Sequence, residues 1–179
     1  MKLQLLSVAA LGALLVSFSS APATTPTPSV APVHCQIPCG IYGDKMRIDM
    51  MLEDLATIEK GMTKIHEIED MGEVGNRNQL VRWVMNKDAH AQAIQDQVAA
   101  YWLAQRIKAP KEDSVDAQEK YHRQLEAMHR ITVHAMKCKQ TTDKAHVADL
   151  KNQVHVFAKM YFSEEDLKHM QQHKDDQHR

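Results

Sequence analysis

From residue 45 to the end of the chain there is one proline, Pro110, and the only glycines are Gly61, Gly72 and Gly75. Proline in a helix interior removes a backbone donor and clashes with the preceding turn, so a long stretch without it leaves extended helices permitted, and Pro110 marks where one must end. Apolar residues then recur three or four apart, the helical period, in four segments. Over roughly 45–71 the stripe is Ile48, Leu52, Leu55, Met62, Ile65 and Ile68, with Gly72 and Gly75 as the stop. Over roughly 77–108 it is Leu80, Val84, Ala91, Ile94, Val98 and Tyr101. The third segment, from about Ser114 to Lys139, carries Tyr121, Leu125, Met128, Ile131, Ala135 and Cys138. The fourth starts near Thr142 or Asp143 as a cap and carries Val147, Leu150, Val154, Phe157 and Tyr161. A last short helix is predicted to begin at Ser163, with Asp166 three residues on as its capping partner. Four amphipathic helices with short connections bury their stripes against one another, so residues 45–179 are predicted to form an all-α, four-helix bundle.

The region ahead of this bundle has a different composition. Residues 1–23 carry Lys2, an apolar run from Leu5 to Val16 and small residues ending in Ala21-Pro22-Ala23, the outline of a secretory signal. The run is too short to make a convincing membrane helix, and no stable membrane insertion is predicted after processing. Residues 24–33 are rich in proline and threonine, cannot bury a core, and read as an extended propeptide or leader remnant. Export as an unfolded chain, to the periplasm, the cell exterior or an equivalent lumen, follows, because no paired arginines stand near residue 2.

Residues 34–44 form an extended N-terminal hook, His-Cys-Gln-Ile-Pro-Cys-Gly-Ile-Tyr-Gly-Asp, which holds two of the three cysteines. Thiolates at Cys35 and Cys39, four residues apart across a Pro-Cys-Gly turn, can grip one metal ion from both ends of a short loop. In an oxidising compartment the same pair can instead close a small disulfide loop. His34 adds an imidazole and, only if the chain is cut directly before it, a free amine. Cleavage after Ala23 leaves ten residues in front of His34. Val33 is bulky for a signal-peptidase site, so an amine ligand requires a separate maturation protease.

The hook resembles that of the nickel-containing superoxide dismutases, whose mature N-terminus reads His-Cys-x-x-Pro-Cys-Gly-x-Tyr. Every fixed position is matched, by His34, Cys35, Pro38, Cys39, Gly40 and Tyr42. Arg47-Ile48-Asp49 follows much as an Arg-Ile-Glu run does in that family, and residues 78–108 share its helix rhythm with Trp102 in register. The resemblance implies a four-helix bundle subunit in a homohexamer, and a nickel ion held by Cys35, Cys39, the Cys35 amide and the His34 amine, with the His34 imidazole as an axial ligand. It implies disproportionation of superoxide to dioxygen and hydrogen peroxide by cycling between divalent and trivalent nickel. Thiolate ligation is then a redox requirement, because aqueous divalent nickel is too hard to oxidise. Tyr42 is implied as the catalytic hydroxyl near the open face, ordering water or the anion. Around these positions the chain departs from the family: Gln36 replaces an acid, Asp49 stands nearest to the glutamate that orients the axial ring, and His90 falls where an arginine helps hold it.

Other features read more plainly. Cys138 lies on the apolar stripe of the third helix as a core thiol. His66, His122, His129, His134, His146 and His155 are spread over helices as solvated or core-edge imidazoles, and His169, His173 and His178 lie in a charged tail that reads as solvated. Met46, Met50, Met51 and Met62 read as core or subunit-interface packing, and Trp83 and Trp102 as packing. Of 22 basic and 23 acidic residues only Lys2 lies ahead of the hook, so steering of an anion depends on local placement of charge. No haem-attachment motif, phosphate-binding glycine loop or basic stripe for nucleic acid is present. The function alternative to the enzyme is an exported, non-catalytic metal-binding or thiol/disulfide module on the same bundle, in which the His34 amine is never exposed.

Overall fold

Helix α1 (Asp44–Ile68) opens with an acid in its first turn, where the unpaired amide groups favour negative charge, and closes with His66 in its last. The computed structural model describes residues 42–68, 74–111 and 114–168. Helix α2 (Val74–Gln97) runs on without interruption as a π-helical segment, Val98–Arg106. Helices α3 (Val115–Gln140) and α4 (Ala145–Tyr161) complete four long elements, and the described residues contain no strand. Among the described residues no helix is long and apolar enough to cross a membrane.

Local signals account for most of the ends. The Ser114 hydroxyl accepts from the Ala117 amide at the start of α3, and Asp143 Oδ1 accepts from the Ala145 amide at 2.9 Å at the start of α4. Ser163 and Asp166 bond reciprocally as a capping box, with Ser163 Oγ to Asp166 Oδ2 at 2.6 Å, and residues 164–168 are helical. Gly75, predicted to help stop α1, instead lies inside the first turn of α2. At that position the amide groups have no intrahelical partner in any case, so glycine costs little.

The core holds Ile48, Met51, Leu55, Ile58 and Met62 of α1, facing Ala91, Ile94, Val98, Tyr101 and Trp102, then Met128, Ile131, Ala135 and Cys138 of α3, then Leu150, Val154 and Phe157 of α4. Full burial of each large side chain contributes roughly 1.5–3 kcal/mol. The predicted stripes hold for α3 and α4, with Tyr121, Leu125 and Tyr161 packed at the core's edge. On α1, Met51 and Ile58 take fully buried places and Leu52 is only partly buried. On α2 the prediction fails for Val84, which is 38% exposed, because this half of the helix projects past the end of α3.

That end is fixed by Lys87, only 2% exposed, whose ammonium donates to the Cys138 and Lys139 carbonyls at 2.6 and 2.9 Å and to Asp88 at 2.7 Å. A cation there satisfies carbonyls left without a partner and sits at the negative end of the α3 dipole. Gly61 makes room for it. A Cβ added at Gly61 would lie 3.3 Å from Lys87 Cβ and 3.6 Å from the Trp83 carbonyl oxygen.

Candidate metal centre

The first turn of α1 anchors the chain where it leaves the hook. Arg47 N–H donates to the Gly43 carbonyl at 3.0 Å, which closes that turn, and the Asp44 side chain turns back into the bundle. Its carboxylate accepts from Arg106 Nε at 2.8 Å and Nη2 at 2.5 Å, from the Tyr161 hydroxyl at 2.8 Å, and from the Tyr101 hydroxyl. One side chain thus ties the start of α1 to the π-helical segment and to the last residue of α4. The fork geometry of arginine on a carboxylate is the strongest arrangement such a pair can adopt.

The π-helical segment makes this convergence possible. Tyr101 and Arg106 are five residues apart, and in an α-helix of 3.6 residues per turn they would point about 140° away from each other. With hydrogen bonds between residues five apart, shown by Ile107 N–H to the Trp102 carbonyl at 2.8 Å, they stack on one face and both reach Asp44.

Burial works against ionisation of Asp44, but the hydrogen bonds from Arg106, Tyr101 and Tyr161, with the Arg106 charge, outweigh it and hold the carboxyl below its ordinary value of 3.8. Burial and the same carboxylate push both phenols up, Tyr161 to about 12 and Tyr101 further. Arg106 is raised by its bond to Asp44. All four groups therefore keep their neutral-pH ionisation over a wide range, as a structural joint requires.

Tyr42 stands directly above this joint. The Arg106 guanidinium lies 4.4 Å over its ring centroid, and the ring meets Tyr101 edge-on at 6.1 Å. Arg47 in turn lies 4.9 Å over the Tyr101 ring. The ring of Tyr42 is held from below while 40% of the residue remains exposed. Edge-on contacts continue inward through Trp102 to Phe157, so the floor beneath Tyr42 is continuous with the core.

His34, Cys35, Gln36 and Cys39 lie outside the described residues, as do residues 1–33 and His169, His173 and His178. The third cysteine is described: Cys138 is fully buried, and burial pushes its thiol up to about 11. A thiol so placed is a core group, packed away from any metal ion. His34, Cys35 and Cys39 would offer two thiolates and nitrogen donors, a soft set that suits divalent nickel, so the residue types fit that ion. Asp49 is half-buried on α1, and His90 pairs through Nδ1 with Asp54 Oδ1 at 2.7 Å. The histidine predicted to stand in for an arginine therefore has its nearest acid one and a half turns beyond Asp49.

The family profile described as nickel-containing superoxide dismutase matches residues 29–165, taking in the hook and all four helices. The chain belongs to the nickel-containing superoxide dismutase family. No curated protein and no solved structure gives a significant match. As a nickel superoxide dismutase it is an enzyme that converts two superoxide anions and two protons into dioxygen and hydrogen peroxide, with nickel as its cofactor. The family membership decides against the non-catalytic alternative.

Sequence reasoning missed the joint itself. Tyr101 and Tyr161 were predicted as stripe residues, Asp44 as the end of the hook, and Arg106 had no assigned part. One signal was available, since a buried tyrosine hydroxyl needs a partner and two such tyrosines need an acid. The π-helical register that unites Tyr101 with Arg106 leaves no mark in residue spacing.

Proposed function

We propose that the superoxide dismutase activity resides in the hook, with Cys35 and Cys39 as thiolate ligands, His34 as imidazole and N-terminal amine ligand, and Tyr42 as the hydroxyl at the open face. When bound there, nickel supplies one-electron exchange, taking an electron from one superoxide and giving it to the next. The chain's own residues supply the rest. The thiolates bring the trivalent state within reach, and Tyr42 orders water or the anion on the side where protons are needed. Arg47 and Arg106 add cationic charge beneath Tyr42, part of it offset by Asp44, which favours approach of a small anion. The single observation that carries this reading is the placement of Tyr42, clamped by Arg106 and Tyr101 at the root of the hook and still half open.

The finer assignments belong to the same proposal. The chain is exported, residues 1–23 are removed as a signal and residues 24–33 by a further protease, so that His34 becomes the first residue. Subunits assemble as a homohexamer. Exposed apolar groups support this last point: Met46 and Met50 beside the hook, and Val81, Val84 and Met85 on the projecting half of α2. Met51 and Met62, by contrast, are fully buried.

Inserting one residue before His34 tests the ligand set. The variant should lose dismutase activity while both hook thiols remain titratable, and full activity would show that the amine is not a ligand.

A further inference from the structure

Two of the histidines read from sequence as solvated or core-edge groups come together across the α3–α4 hairpin. His134 projects from the last two turns of α3, and His146 and Asp149, three apart and so on one face, project from the first turns of α4. One donor atom from each lies within 4.8 Å of the other two. His134 Nδ1 is 3.7 Å from Asp149 Oδ2, and the imidazole centroids are 6.5 Å apart at 46°. The Nδ1 atoms of both histidines are buried and have no hydrogen-bond partner among the described residues. A buried imidazole nitrogen without a partner is unfavourable unless something else occupies its lone pair.

We propose that His134, His146 and Asp149 form a second metal site, separate from the hook, which takes a divalent transition ion of zinc's class and ties the end of α3 to the start of α4. Two imidazoles and a carboxylate are a borderline donor set, which suits zinc and leaves a fourth position for water. Donors around a tetrahedral ion sit about 3.3 Å apart for bonds of about 2.0–2.1 Å. The required contraction is small, and Asp149, 58% exposed, is free to make it. The helices that carry the ligands are already set: Lys87 holds the carbonyls of Cys138 and Lys139, and Asp143 caps Ala145 in the connecting turn. Burial lowers the basicity of His134, which favours the neutral, ligating form. The loop the ion closes is short, so its effect is local rigidity.

The test is a titration with zinc chloride of the mature chain carrying Cys35→Ser and Cys39→Ser, which silences the hook, and His169→Gln, His173→Gln and His178→Gln, which silence the tail. One equivalent of zinc should bind with a rise in thermal midpoint, and cobalt(II) should give a visible ligand-field spectrum without thiolate charge transfer. His146→Gln in that background should weaken zinc binding by about tenfold or more and remove the thermal rise. Asp149→Asn alters only an exposed side chain and should weaken binding in the same direction, with the zinc-free midpoint unchanged. Failure of the background protein to bind zinc, or undiminished binding in both variants, would overturn the site.

Discussion

Asp44→Asn keeps the shape of the side chain and removes the charge that Arg106, Tyr101 and Tyr161 surround. It should destabilise the subunit by about 2 kcal/mol, read from denaturant unfolding, because a half-buried arginine loses its counter-charge and two phenols lose a charged acceptor. The sign of the pH effect follows from the direction of the shift. A carboxyl held below 3.8 in the folded state contributes stability that is complete above that value and is lost as pH falls through the lower, folded value. Thermal midpoints of the parent should therefore fall more steeply than those of Asp44→Asn as acid is added below about pH 4; parallel curves would show that Asp44 is not the group responsible. At the alkaline end the signs reverse. Tyr161, raised to about 12, contributes stability that is complete below 10 and is lost as pH rises through the folded value. Tyr42→Phe should leave nickel content and unfolding unchanged and lower turnover by about tenfold. Unchanged turnover would assign the aromatic ring, and not the hydroxyl, to the site.

At the scale of elements, the π-helical segment decides whether Tyr101 and Arg106 can share Asp44. Deleting the exposed Ala104 should let the segment relax to an α-helix in which Tyr101 and Arg106, now four apart, lie within about 40° of each other and still share Asp44. Circular dichroism should then show undiminished helicity with a thermal midpoint close to that of the parent, whereas a large fall would show that bringing the two residues onto one face is not all that the π-helical register contributes. Gly61→Ala probes the neighbouring contact. Helix propensity alone favours alanine by about 1 kcal/mol. The new methyl, however, meets Lys87 Cβ at 3.3 Å on a side chain whose ammonium is fixed at the end of α3. A net loss of about 1 kcal/mol is expected from overpacking, and a gain in stability would mean that the two helices separate freely. Helix existence was legible in sequence because long amphipathic stripes around Ile131 and Val154 announce it. The starts at Ser114, Asp143 and Ser163 were legible because hydroxyl and carboxylate caps act locally. Val84 was misjudged for a tertiary reason, since no stripe tells where a neighbouring helix stops.

For the whole molecule, the hook was the most legible part of the sequence and the bundle supplies what the hook alone lacks. Cys35 and Cys39 stand out as candidate ligands from spacing and from the residues between them, whereas the joint at Asp44, with partners from residues 101, 106 and 161, is assembled only by the fold. The buried Cys138 and the clamped Tyr42 then divide the labour. One thiol is withdrawn into the core, and one aromatic ring is held by Arg106 at the start of α1 and stays partly exposed. In the proposed function a trimmed N-terminus, and not merely a pair of cysteines, makes this bundle a dismutase. Native mass spectrometry of the mature subunit, isolated from cells supplied with nickel, tests it most directly. A chain that begins at His34 and carries one nickel ion is expected; an active enzyme whose chain begins at Thr24 would contradict the proposed ligand set.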